Sequence, residues 1–280
     1  MCNCVSSVAK YLYDRLTREK MNMRTLILYF SGTGNTKDIA CRFEKALLKR
    51  NISVEIHSIE DGADLANIQY DFLIIGFPKY YEYPVLHILN YIRKELPEQK
   101  REIPTLAFCT QAGPLPTNFN GLSRLLDQKN HKLTVSKSFP YANNMMIFSS
   151  FKFTDPQKVA ENKRNIQEQI EPLLGKWLGG EVSLEQVPAW QRPLFHLIAS
   201  GCTKGMPVFA MRFSASQDCT HCGLCVKQCP MNNIRMTDDG PIFQKHCLFC
   251  MRCINACPTN AILYDNKQCQ QYKCEPFSKE

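Results

Sequence analysis

The chain has 280 residues, 44% of them hydrophobic, which is enough for one large core or for a medium domain with a smaller one. No run approaches the roughly eighteen apolar residues needed to span a bilayer, and no apolar signal segment follows the N-terminal charges, so the sequence reads as soluble and cytoplasmic. A formal charge of +8 is spread without a basic face, which gives no ground for a nucleic-acid partner, and fifteen cysteines in a reducing compartment point to metal or redox work rather than disulfides.

Residues 1–23 look like an extension. Val5, Val8, Leu12 and Leu16 recur at helical spacing, so the segment is either a weak amphipathic docking helix or an extended start. From 24 to 139 strand and helix alternate, which predicts a doubly wound α/β sheet of five parallel strands near 24–30, 52–58, 70–76, 103–109 and 132–138. The first strand runs through "SGTGNT" into a periodic helix whose Ile39, Phe43, Ala46 and Leu47 share one face.

That loop is an expected anion site, because a helix N-terminus presents unpaired N–H groups and the positive end of its dipole. Gly32 and Gly34 let the backbone come close, and the hydroxyls of Ser31, Thr33 and Thr36 can donate to phosphate oxygens beside Asn35. The P-loop spacing G-x4-G-K-[ST] is absent, and Lys37 stands where a dinucleotide fingerprint needs its third glycine, so a terminal monophosphate fits better. A tight strand-to-helix turn with no ligand is the alternative.

Two more strand ends converge on the same crevice of an open parallel sheet. "YDFLIIG" is followed by "FPKYYEYP", where Pro78 and Pro84 stiffen a loop bearing Tyr80, Tyr81 and Tyr83. A flat cofactor would stack on one of these tyrosines, or they cover the sheet end. "IPTLAFCT" is followed by "QAGPLPTN", with Thr110, Gln111, Ala112 and Gly113 at its start. Strand, "SGTGNT", aromatic loop and "TQAG" together resemble flavodoxin, a family that binds FMN. The resemblance implies phosphate at Ser31 to Thr36, isoalloxazine stacking on Tyr80 or Tyr81, and pyrimidine contacts at Thr110 to Gly113. This domain is slightly basic where many long-chain flavodoxins are acidic, so it need not share their partners.

After the last strand comes "PYANNMMIFSSF", 140–151, either a pocket wall or a packed connector. A closing helix follows "TDP" at 154–156, with Val159, Ile166, Ile170, Leu173 and Trp177 as its apolar stripe. Residues 181–213 carry Pro188, Pro193 and Pro207 and predict a bridge, packed through Trp190, Phe195 and Leu197.

The C-terminal quarter contains an internal repeat. Cys219, Cys222, Cys225 and Cys229 recur as Cys247, Cys250, Cys253 and Cys257 at a shift of 28 residues, and Pro230 and Ile234 recur as Pro258 and Ile262. Between the copies "NIRMTDDGPIF" reads as two short strands joined at Asp238, Asp239 and Gly240. The spacing Cys-x2-Cys-x2-Cys-x3-Cys-Pro resembles two-cluster bacterial ferredoxins, whose fourth cysteine ligates the other half's cluster. That implies Cys219, Cys222, Cys225 and Cys257 on one 4Fe-4S cluster, and Cys247, Cys250, Cys253 and Cys229 on the other. A pair of Cys4 zinc sites is the competing assignment, although these usually pair two knuckles across a longer loop.

The whole is similar to the flavodoxin-ferredoxin fusion proteins of anaerobic bacteria and related organisms. It implies a flavodoxin-like FMN domain at 24–180, a packed linker at 181–213, a two 4Fe-4S ferredoxin domain at 214–265 and a tail at 266–280. Outside the cluster sets, Cys41 and Cys109 are expected to pack, with flavin contact an alternative for Cys109. Cys2 with Cys4 and Cys269 with Cys274 are a possible pair across the termini, and His221 and His246 either tune the clusters or sit at the surface. Two functions stay open: an electron-transfer protein serving a redox partner protein, or an FMN-dependent reductase of a small acceptor such as a quinone or conjugated ketone. In the second case the loop tyrosines are the expected proton donors.

Overall fold

The structure is a computed structural model that describes residues 23–147 and 154–274. The expected N-terminal helix, Cys2, Cys4, the end of the 140–151 segment and the last residues of the tail lie outside the described residues.

The first unit runs β1 (Arg24–Tyr29), α1 (Asn35–Lys49), β2 (Ser53–Ser58), β3 (Phe72–Tyr80), β4 (Tyr83–Pro84), α2 (Leu86–Glu95), β5 (Ile103–Gln111), α3 (Asn120–Asp127), β6 (His131–Pro140) and α4 (Pro156–Leu178). The sheet order is β2-β1-β3-β5-β6, all parallel, with the two-residue β4 antiparallel to β3. Leaving β4 aside, the order is second, first, third, fourth, fifth, which is flavodoxin-like and has its switch point between the first and third strands.

Strand periodicity sends alternate side chains to opposite faces, and both faces are covered. Leu26, Leu28 and Phe30 join the core beneath α2 and α3, whereas Ile27 and Tyr29 join the core beneath α1 and α4. The Asp155 carboxylate accepts from the Gln157 N–H at 2.7 Å and caps α4, with Pro156 in its first turn. Ile166, Ile170 and Trp177 of the expected α4 stripe are buried in the core, Val159 and Leu173 pack against it partly buried, and Leu174 joins them as a further buried member.

Where the prolines of 181–213 predict a bridge, the structure has a 19-residue helix, α5 (Arg192–Ala210). Pro193 sits in the first turn, where a missing N–H loses no bond, and Pro207 falls only in the last turn. Of the three residues expected to pack, Phe195 does, but Trp190 is 76% and Leu197 70% exposed. Just before α5, Ser183 pairs in parallel with Val135 and extends the sheet edge.

The second unit comprises β7 (Phe213–Ala215), α6 (Leu224–Lys227), β8 (Ile234–Thr237), β9 (Gly240–Phe243), α7 (Arg252–Ala256), β10 (Ile262–Tyr264) and β11 (Lys267–Gln268). The 28-residue repeat is written into its backbone. Left-handed φ angles at His221, Gly223 and Asn232 recur at Phe249, Met251 and Asn260. The N–H of Asn233 donates to Cys229 Sγ at 3.2 Å, and that of Ala261 donates to Cys257 Sγ at 3.2 Å. Ile234 and Ile262 both enter the small core.

Candidate functional site

Beyond the carboxyl ends of β1, β3 and β5 lies a cavity of about 300 Å³. Of the sequence-predicted cofactor residues, Ser31, Gly32, Thr33, Asn35, Thr36, Pro78, Tyr80, Tyr81, Thr110, Gln111, Ala112 and Gly113 line it. Gly34 lies on the other side of the loop, where it caps α1 with φ 107°. Tyr83 lines a neighbouring cavity instead.

The loop hydroxyls are braced by the protein, and those of Ser31 and Thr33 keep donor capacity. Ser31 Oγ accepts from the Gly34 N–H at 3.1 Å, and Thr33 Oγ1 accepts from the Asn144 amide. Thr36 and Thr110 share a hydrogen bond of 2.9 Å, which ties the first loop to the third. An accepting hydroxyl still has its own proton to give an anion. The Asn35 side chain, by contrast, is occupied, donating to Ala142 O at 3.0 Å and accepting from Tyr272 Oη at 2.7 Å.

The aromatic loop is a hairpin. Tyr80 pairs with Tyr83 across a two-residue turn in which Tyr81 and Glu82 have φ of 50° and 66°. That is the sign pattern of a type I′ turn, and side chains larger than Asn or Gly are strained there. The turn is held by an ion pair between Lys79 and Glu82, by Lys79 Nζ to Leu115 O at 2.8 Å, and by the Asn118 N–H to Glu82 O at 2.8 Å. Lys79 and Glu82 therefore join the tyrosines as ionisable groups at the cavity, which corrects the expectation that tyrosines stand alone.

Tyr141, Ala142, Asn143, Asn144 and Met145 form another wall, so the described part of the 140–151 segment lines the cavity. Ile198 of α5 completes it, a contribution that proline content concealed. Cys109 is fully buried beneath, 3.0 Å from Thr117 Oγ1 and 3.3 Å from Ser138 Oγ, and burial pushes its thiol up to about 11. It packs and does not line the cavity.

A cleft of about 630 Å³ lies on the other face of the same loop. Lys37, Arg252 and Lys273 line that cleft together with Glu60 and Asp61, so its charge is mixed and does not by itself separate it from the smaller cavity. The smaller cavity has aromatic walls and loop hydroxyls, which suit a planar ring carrying a monophosphate.

The cysteines gather in crossed sets. One small pocket is lined by Cys219, Cys222, Cys225 and Cys257, and another by Cys229, Cys247, Cys250 and Cys253. A single zinc would draw its sulfurs onto one point at about 2.3 Å. Among the described residues no three His, Cys, Asp or Glu side chains converge in that way. Thiols distributed around a pocket suit a larger inorganic core. Burial pushes Cys247 up to about 12 and Cys250 up to about 11, so only a bound cation would hold them as thiolates. His221 and His246 are exposed, while Cys269 is buried and Cys274 Sγ lies 3.7 Å from Tyr141 Oη.

The second set touches the first unit directly. A Cβ placed on Gly32 would lie 2.6 Å from Cys250 O, so the close approach requires glycine. Tyr80 Oη donates to Phe249 O at 3.3 Å, and burial holds that phenol well above its ordinary range, hence neutral. Arg252 Nη2 donates to Ser31 O at 2.8 Å. Leu248 and Cys250 belong to the same apolar core as Phe30 and Phe77.

Residues 218–262 match the family described as 4Fe-4S dicluster domain. No curated protein matches the chain by sequence. Among solved structures, 53% of the chain aligns with 99% of a flavodoxin from the domain Archaea at 18% identity and a TM-score of 0.36. Another 53% alignment covers 98% of flavodoxin 2 from Bacillus cereus at 16% identity and a TM-score of 0.35. The flavodiiron protein from Giardia intestinalis aligns over 63% of this chain and 42% of its own, at 13% identity and a TM-score of 0.38. The flavodoxin-like description rests on the strand order, not on these scores.

Proposed function

We propose that this chain, a flavodoxin-like fold joined to a 4Fe-4S dicluster domain, is an electron-transfer iron-sulfur flavoprotein with two 4Fe-4S clusters and one FMN. When bound, the clusters exchange single electrons and the flavin takes one or two, so the assembly can gather two single deliveries. The crossed cysteine sets would hold the clusters: Cys219, Cys222, Cys225 and Cys257 the outer one, and Cys247, Cys250, Cys253 and Cys229 the inner. Ser31 to Thr36 would hold the phosphate, Tyr80 or Tyr81 would face the ring, and Thr110 to Gly113 would meet its edge.

The observation that carries this proposal is the contact between Cys250 and Gly32, which joins a cluster loop to the phosphate loop without an intervening side chain. Buried Leu248, Phe249 and Met251 keep water from that junction, whereas Cys222 is exposed and offers a partner protein the outer end of the relay. Among the described residues no helix is long and apolar enough to cross a membrane. We place the protein in the cytoplasm with a redox partner protein.

Anaerobic purification should yield about eight iron, eight sulfide and one FMN per chain. A low-potential donor should then reduce the flavin in the wild type and fail in Cys250→Ser. Zinc without iron, or equal reduction in both proteins, would overturn the proposal.

A second reading, an FMN-dependent reductase of a quinone or conjugated ketone, draws on a different observation. A cavity of about 380 Å³ shares the Tyr80 and Tyr81 wall and is bounded by Tyr83, Leu89, His196 and Met206. Saturable turnover of a small acceptor, slowed by Leu89→Trp with flavin content unchanged, would favour that reading over a pure carrier.

A further inference from the structure

Arg252 lies between two cysteines of the inner set, yet its side chain is spent on the phosphate loop. Each of its five N–H groups has its own acceptor. Nε donates to Gly32 O at 3.2 Å and Nη2 to Ser31 O at 2.8 Å. Nη1 donates to Gln228 O at 3.1 Å, and the Glu60 carboxylate takes the remaining donors of Nη1 and Nη2 at 2.8 and 2.7 Å. The guanidinium also sits 5.7 Å from the centroid of the Phe30 ring, with 19% of the side chain exposed. Five donors in a planar fork match this set, and an ammonium with three cannot.

We propose that Arg252 is a positioning residue for the flavin phosphate, acting from the dicluster domain through two peptide planes of the loop. This rests on the flavin reading above. In a trans peptide the C=O and the following N–H point in opposite directions, and among the described residues no cis bond is present. Holding the carbonyls of Ser31 and Gly32 therefore turns the N–H groups of Gly32 and Thr33 away from Arg252. Among the described residues neither N–H meets a protein acceptor. Arg252 lines the open cleft and not the aromatic cavity, while Gly32 and Thr33 line both, so donors turned away from Arg252 can face the aromatic cavity.

Glu60 balances the guanidinium charge, so the effect is one of aim rather than net attraction. It is specific to the phosphate, since the ring contacts come from other loops. The flanking Cys250 and Cys253 set where Arg252 stands, which couples the inner cysteine set to flavin affinity, and such coupling is reciprocal.

The test uses full-length protein freed of flavin anaerobically, then titrated with FMN and with riboflavin, which lacks the phosphate, by quenching of flavin fluorescence. Wild type, Arg252→Lys and Arg252→Gln are compared, with iron content measured in each. Arg252→Gln should weaken FMN about tenfold or more and Arg252→Lys somewhat less, while riboflavin affinity stays within about twofold. Equal FMN affinity in all three at equal iron overturns the inference and leaves the flavin reading standing. Parallel losses for FMN and riboflavin also overturn it, because they mark general loosening. If Arg252→Gln sheds iron, Arg252→Lys decides, since it keeps the charge and stem. Failure of the wild type to bind FMN would remove the flavin reading itself.

Discussion

The two cysteine sets are copies in sequence and opposites in setting. The outer set carries Thr220, His221 and Gly223 around an exposed Cys222, while the inner set carries Leu248, Phe249 and Met251 around a buried Cys250. The left-handed backbone is shared, at 221 and 223 in one copy and 249 and 251 in the other. A glycine adopts that conformation without strain, whereas Phe249 and Met251 do so at some cost that their burial offsets. The cysteine spacing is thus common to the two copies, and the residues between the cysteines set how buried each copy is.

The strongest way to break the comparison is to remove one ligand from each copy. Cys250→Ser should abolish donor-driven flavin reduction, at least a hundredfold slower, on the reasoning that the inner set is the junction. Cys222→Ser should lose about half the iron yet leave chemical reduction of the flavin through the inner set. Equal impairment in both variants would mean that the difference in setting has no functional weight.

A second measurement separates the sheet from both sets. His131 is fully buried, between Tyr70 Oη at 2.8 Å and Lys129 O at 2.8 Å, and burial lowers it from 6.5 to about 4. Above pH 6.5 its neutral folded form is at full stability. As the pH falls towards 4 the unfolded chain takes up a proton that the folded one refuses, with a loss of about 3 kcal/mol. Denaturant titrations across that window should show the slope in the wild type and in Cys222→Ser, and a flatter one in His131→Gln. A slope that persists in His131→Gln would trace acid loosening to the cluster regions instead.

Gly32→Ala addresses the junction alone. The new methyl would meet Cys250 O, so a destabilisation of about 1–3 kcal/mol is expected, read as a lower unfolding midpoint. An unchanged midpoint would disprove the close approach. The smallest effect belongs to Tyr80→Phe, which deletes the bond to Phe249 O and should lower stability by about 0.5–1.5 kcal/mol without changing iron content. A fall in iron with it would give Tyr80 a larger part in holding the inner loop.

What the sequence made legible is what depends on short spacings. The repeat, the parallel strands and the glycine-hydroxyl loop each declare themselves within a few residues. The α5 helix did not, because Pro193 and Pro207 look like breakers unless their turn is known. The Tyr81-Glu82 turn lacks the Asn-Gly signal, since the Lys79 and Glu82 ion pair and the 115–118 loop hold it instead. Arg252 is anonymous in "CMRC", because the carbonyls that define its task are 220 and 221 positions away.

Tyr272 donates to Asn35 across 237 positions, and Cys274 packs its Cβ where a side chain on Gly34 would stand. During synthesis the sheet, built on shorter-range contacts, can form while the rest of the chain is still being made. The back of the phosphate loop stays bare until Tyr272 and Cys274, which follow both cysteine motifs in the chain, have been made. The phosphate-loop segment is therefore closed from behind only after both cysteine motifs are already available.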